Sequence, residues 1–270
     1  MLAISLAEAK SSYEEKHDTT QYIKNIISDN ILPGELYAQA KELNFDTEVQ
    51  RAVYILHMEP GVDASIMNYL QPKYVKPNQD YLFSISMSDL TLIKVMTANA
   101  QQSDIVRYAQ LIHDAVLEDL GREITIGVST MVVHLRELAD RYKEAKTALE
   151  IGRVFDGGQS VISYSKLGLG RIIYQLPTTL CGMYLEEVFQ KNSIEALDEE
   201  ILYTIDKFFE NNLNVSETSR KLFVHRNTLV YRLEKIKRIT GLDIREFDNA
   251  IVFKVALMVK KYLDSQSYRR

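Results

Sequence analysis

The stretch Leu213-Asn-Val-Ser-Glu-Thr-Ser-Arg-Lys-Leu-Phe-Val-His-Arg-Asn-Thr-Leu-Val-Tyr-Arg-Leu-Glu-Lys-Ile-Lys-Arg-Ile-Thr-Gly-Leu242 decides the architecture of the C-terminal part. Asn214 or Ser216 can cap a short helix, and the small Ser219 allows a second helix to cross it closely. Leu222 and Val224 are suited to plug the corner between the two. Leu229, Leu233 and Ile236, spaced i, i+4, i+7, then hold the second helix, Arg226 to Ile239, against a core, and Thr240-Gly241 ends it. Its other face is left with Arg226, Asn227, Thr228, Tyr231, Arg232 and Lys235. These side chains can read base edges or grip phosphate, and Ser216 and His225 stand at the entrances of the two helices. For His225 a phosphate contact, a capping role and plain packing are all open. The pattern is that of a helix-turn-helix.

Charge supports the same segment. Between Val215 and Thr240 seven basic side chains face two acidic ones, a net +5. The whole chain carries −5, so the remainder carries −10. A generic polycation is excluded, and a basic patch on an acidic body fits one small element docking on phosphate. On charge alone a solvated basic helix face fits equally. If the patch is functional, it should neutralise about four to six phosphates per subunit.

Outward from this segment, Ile201, Leu202, Ile205, Phe208 and Phe209 mark one further amphipathic helix, and Asn249 to Leu263 another. In the latter Ile251, Val255, Met258 and Tyr262 form one stripe, and apolar residues extend around the helix. A monomer needs an apolar face only about 100° wide, so the excess points to a second copy or to a linker helix of the same chain. Upstream, strand signals return. Arg51-Ala-Val-Tyr-Ile-Leu-His-Met58 reads as a buried strand ending at Pro60-Gly61. Tyr81–Met87 and Leu90–Met96 read as a hairpin, Glu123–Ser129 and Val161–Tyr164 as further strands. Ala64–Tyr69, a helix capped by Ser103-Asp104 and closed by Gly121, and Leu135–Val154 read as helices between them. The order β-α-β-β-α-β-α-β predicts an α+β fold with helices on a mostly antiparallel sheet, followed by an all-α region. Leu2–Ser28 reads as a helix with Tyr22, Ile23, Ile26 and Ile27 on one face, and Asp156-Gly157-Gly158 as a turn. The expected segments are 1–43, 44–166, a helical connector 167–197, and 198–270.

Length and composition fit two soluble domains: 270 residues, 46% hydrophobic and 26% charged. The single Cys181, expected to be a small buried hydrophobe, forms no internal disulfide. No apolar run approaches the roughly 20 residues of a membrane span, and the N-terminus lacks a basic leader, so a cytoplasmic location without membrane contact is expected. His17, His57, His113, His134 and His225 show no metal-ligand spacing, and no metal or cofactor is expected. Gly168-Leu-Gly170 lacks the strand-loop-helix setting of a dinucleotide site.

Leu222-Phe-Val-His-Arg-Asn-Thr-Leu229, with Tyr231-Arg232-Leu233 and Thr240-Gly241-Leu242, resembles the C-terminal helix-turn-helix of PucR-type transcriptional regulators, the group containing the sugar-diacid (CdaR-like) regulators. Glu123–Ser129 and Arg141–Leu149 resemble that family's central domain, a degenerate relative of the GGDEF nucleotide-cyclase fold. The resemblance covers nearly everything after about residue 20. It implies a sequence-specific regulator of a catabolic operon that binds double-stranded operator DNA as a homodimer. RNA polymerase is a candidate partner, and the small-molecule effector is unspecified. The family's N-terminal sensory domain is absent from this stretch, so a fragment of a longer regulator or a shortened member is expected. Two rivals stand beside this reading. One is a nucleotide-cyclase-like enzyme, which would need a Gly-Gly-acidic hairpin and Mg²⁺-holding acids. The hairpin here is Ser86-Met87-Ser88-Asp89, and Glu59 is the single acid near the expected metal position, so no catalytic residues are expected. The other is an interaction adaptor that binds no DNA; the basic recognition face argues against it, since protein-binding helices more often present apolar anchors.

Overall fold

The computed structural model describes residues 18–155, 158–189, 194 and 196–267. The first part of the expected N-terminal helix, His17, and Asp156 and Gly157 of the expected turn lie outside the described residues. The chain divides into two compact units, up to Gly168 and from Leu169 onward.

In the first unit a helix at 18–27 (α1) and Pro33–Glu42 (α2) precede a five-stranded sheet. Its strands are β1 (Arg51–His57), β2 (Tyr81–Ser84), β3 (Asp89–Val95), β4 (Thr125–Val128) and β5 (Val161–Ser163). The spatial order is β2-β3-β1-β4-β5, antiparallel throughout except for the β4–β5 pair. Helices α3 (Ala64–Tyr74), α4 (Gln102–Leu120) and α5 (Leu138–Phe155) complete the order expected from the sequence. Central β1 reads as an unbroken apolar run because both its faces are covered. Val53 and Ile55 join α1, α2 and α5 in one core with Tyr22, Ile23, Leu36, Leu138 and Leu149. Ala52, Tyr54 and Leu56 join α3 and α4 in the other, with Ile66, Leu70, Ile105 and Ile112. Gly127 lets α5 close onto β4, since a Cβ there would lie 2.2 Å from the Ala145 carbonyl oxygen.

Local differences from expectation have local causes. The first hairpin strand stops at Ser84 rather than Met87, because residues 85–88 form the turn and Met87 swings out into solvent, and the second begins one residue earlier than expected, at Asp89. Helix α4 is capped by Gln101 rather than Ser103-Asp104, with the Asp104 carboxylate accepting the Gln101 amide at 2.9 Å. Helix α3 runs five residues past Tyr69, carrying Pro72 in its last turns. Residue 44 marks no boundary, because Tyr22, Ile23, Ile26 and Ile27 are all buried in the first core.

The second unit is all helical: α6 (Leu169–Ile173), α7 (Thr178–Val188), α8 (Glu199–Glu210), α9 (Val215–Lys221), α10 (Arg226–Thr240) and α11 (Phe247–Ser267). From Leu169 onward the expected connector falls within this unit. Helix α7 packs along α11, Phe189 meets Phe253 edge-on, and Cys181 is buried, its thiol pushed up by burial. Ile201, Ile205, Phe208, Leu229, Leu233, Ile236 and Phe253 form one core.

Candidate nucleic-acid interface

Asn214 begins the site. Its side-chain oxygen accepts the Glu217 amide at 3.0 Å and starts α9, settling the choice between Asn214 and Ser216 as the cap. Ser216 sits exposed in the first turn. Buried Thr218 and Ser219 face inward, each hydroxyl donating to a carbonyl of the preceding turn. Leu222 and Val224 pack on the core at the corner, as their spacing predicts. His225 then caps α10: its Nδ1 accepts the Asn227 amide at 3.2 Å. Of its three open roles, the capping one is present in the structure, and the side chain stays exposed. Gly241, at φ 78°, closes α10 with its amide on the Lys237 carbonyl at 2.8 Å.

Leu229, Leu233 and Ile236 are buried together, so at 100° per residue Asn227, Tyr231 and Arg238 project from the opposite face. His225, Arg226, Asn227 and Thr228 are exposed at the N-terminal end of α10, and Tyr231 is 64% exposed one turn on. Arg238 extends the same face, at an exposed position that the apolar spacing implies.

Two of the expected contact residues are engaged within the fold. The Arg232 side chain is only 15% exposed, donates to the Thr204 hydroxyl at 3.0 Å and pairs with Glu200. Lys235 donates to the Asp198 carboxylate at 2.8 Å. Asp198 also caps α8 through the Ile201 amide, and these two donors, Lys235 first, hold its carboxyl below the usual range. Arg232 and Lys235 therefore clasp α10 to α8 instead of joining the Arg226–Tyr231 face. The turn after α10 is tied in turn by Asp243, whose carboxylate receives Arg245 at 2.6 Å and Lys237 at 3.1 Å. Arg245 chiefly, with its backbone amide, holds the Asp243 carboxyl far below the ordinary carboxylate range.

Pairing reduces the charge available to a polyanion. Arg220 pairs with Glu217 at 2.6 Å. Of the seven bases between 215 and 240, Lys221, Arg226 and Arg238 are exposed and have no ion pair with the described residues.

In the first unit the turn Ser86-Met87-Ser88 is closed by the Ser86 hydroxyl on the Asp89 carboxylate at 2.7 Å. His57 Nδ1 lies 2.7 Å from the same residue's Oδ1. Glu59 is 86% exposed, with its carboxylate 3.7 Å from His57 Nε2. No group of three His, Cys, Asp or Glu suited to a metal occurs among the described residues.

Residues 201–259 match the model of the PucR C-terminal helix-turn-helix domain, and residues 28–151 that of the GGDEF-like domain. The chain is 24% identical to the carbohydrate diacid regulator of Escherichia coli strain K12, over 88% of this chain and 64% of that one. It is 22% identical to the purine catabolism regulatory protein of Bacillus subtilis strain 168, over 60% of this chain and 30% of the relative. Among solved structures, a regulator of polyketide synthase expression from Bifidobacterium adolescentis superposes with a TM-score of 0.43 at 15% identity, over 88% of this chain and 90% of that chain. The chain thus spans between about a third and two thirds of the length of these curated relatives. It carries a GGDEF-like domain followed by a PucR-type helix-turn-helix domain and is similar to the purine catabolism and carbohydrate diacid regulators.

Proposed function

We propose that this chain is a sequence-specific DNA-binding transcriptional regulator in which α10 is the recognition helix. The observation that carries the reading is the exposed row His225, Arg226, Asn227, Thr228 and Tyr231, on a helix whose opposite face is locked into the core. A helix held on one side and rich in donors on the other can enter the major groove. Asn227 and Arg226 are assigned to base edges, Thr228, Tyr231 and Arg238 to the groove wall and phosphates, and Ser216 to the flanking backbone. Selection of bound fragments from the source genome tests this directly: enrichment of one shared sequence is the expected result, and recovery without sequence preference refutes it.

The first unit serves, on this reading, as a structural and regulatory module rather than a cyclase. Its hairpin offers Ser-Met-Ser where close approach of a nucleotide favours glycine, and Glu59 stands exposed beside His57, whose other ring nitrogen is taken by Asp89; no metal-suited group of three forms among the described residues. Incubation with GTP and Mg²⁺ should yield no cyclic product; a product lost in Glu59→Ala would overturn this. The expected assembly is a homodimer on a two-fold operator, since one helix-turn-helix reads only a few base pairs. Helix α11 suits that role: Ile251 is 45% exposed and Val255 and Met258 are half-buried, although Tyr262 turns into the core. No described helix is long and apolar enough to cross a membrane. Action on DNA, with RNA polymerase as a candidate partner, supports the reading of a cytoplasmic regulator.

A further inference from the structure

The turn between α9 and α10 holds a side chain that the fold does not use. Two bulky residues of the second unit sit at positive φ, Leu213 at 61° and Phe223 at 55°. That conformation crowds a Cβ and suits glycine best. Leu213 packs against the hydrophobic core. Phe223, between the inward-turned Leu222 and Val224, is 96% exposed. The turn itself is held by the main chain, with the Phe223 amide on the Arg220 carbonyl at 3.1 Å and the Val224 amide on the Ser219 carbonyl at 3.0 Å. Glycine would make the same turn with less strain. A strained, solvated aromatic ring in a functional segment is a site where fold and function pull apart.

We propose that the Phe223 ring is an apolar DNA contact, laid against deoxyribose and thymine-methyl surface at the rim of the groove that α10 enters. The inference rests on the proposed DNA-binding function. What selects DNA as the partner is the setting: Lys221 stands two residues before the ring and Arg226 three after it, both exposed and without an ion pair to the described residues. An apolar plate between cations fits a polyanion that also carries apolar faces.

The test uses the full chain and its Phe223→Gly, Phe223→Ala and Phe223→Tyr variants. Each is titrated against a fluorescein-labelled duplex recovered from a random pool by the unaltered chain, over a series of KCl concentrations. Loss of the ring should weaken binding roughly 10-fold, equivalent to about 1.4 kcal/mol. The slope of log K against log salt should not change, because no phosphate contact is removed. Phe223→Tyr should bind like the unaltered chain. Phe223→Gly should melt at a higher temperature, since it removes the positive-φ strain and gives up no packing. Loss of affinity with a gain in stability is a combination that a purely structural role does not produce. The inference is overturned if Phe223→Gly binds as tightly as the unaltered chain, or if its weaker binding comes with a lower melting temperature. If the unaltered chain enriches no duplex at all, the proposed function falls and the inference with it.

Discussion

Arg232 offers the sharpest separation between a base-reading residue and one that positions its helix. Replacing it with Met keeps an aliphatic stem of similar reach along α10 and removes the guanidinium. Two interactions go. The bond to the Thr204 hydroxyl, a residue with no exposed surface, involves a charged donor, a type worth roughly 1.5–3 kcal/mol, but Thr204 keeps its own bond to the Glu200 carbonyl, which favours the low end. The pair with Glu200, whose carboxylate is largely exposed, adds roughly 0.2–1 kcal/mol. Together these put Arg232→Met at about 2 kcal/mol, or roughly 8–16 °C for an independently melting unit of about 100 residues. Glu200→Gln, which removes only the solvent-screened pair, should cost about 0.5 kcal/mol. Differential scanning calorimetry of the full chain reads the stability, and selection from a randomised duplex pool reads the sequence preference. The expected result is a lower transition with the preferred sequence unchanged. An unaltered transition together with lost discrimination at one base pair, the signature of a base contact worth roughly 1–3 kcal/mol, would refute the clasp.

With Arg226 assigned to a base edge, Lys221 and Arg238 are the unpaired cations left for phosphates, so log K should fall against log salt with a slope of about −1.8 per subunit; Arg238→Ala should remove about 0.9 of that and Lys235→Ala none, and a slope near zero would refute the assignment. Asp243 gains stability from partners that need its charge, so its contribution is full above the ordinary carboxylate pKa of about 4 and is lost as pH falls through its depressed folded value. Asp243→Asn should therefore lower the melting temperature at neutral pH, with the gap to the unaltered chain narrowing in acid; a gap that stays constant to low pH would contradict the linkage. Ile251→Lys, on the half-exposed stripe of α11, should shift sedimentation from dimer to monomer at micromolar concentration while leaving the fold intact by circular dichroism, and an unchanged dimer would move the contact to another surface.

What the sequence made legible, and what it hid, follows the range of each interaction. The apolar spacing of α10 predicts which side faces the core, and Leu229, Leu233 and Ile236 are buried as expected. The strand run at β1 and the helices either side of it are likewise local patterns, so element order is readable residue by residue. Element edges are less so: Gln101 displaces Ser103-Asp104 as a cap through a bond with Asp104 that only the folded turn reveals. The two site residues that prove to be ion-paired are of another kind. Arg232 and Lys235 lie on the flank of α10, neither in the core stripe nor opposite it, and spacing alone cannot say what stands beside a flank. The neighbours prove to be Glu200 and Asp198, 32 and 37 positions earlier, beyond any window used to sum the charge of the basic segment. A net +5 counted along the chain thus overstates what phosphates can meet, because acids from α8 and from the turn at Asp243 answer part of it in space. The residues left uncompensated, Lys221, Arg226 and Arg238, fall at the end of α9, the N-terminus of α10 and the outer face of α10. On the proposed DNA-binding function, that distribution rather than the total charge directs this helix toward a groove.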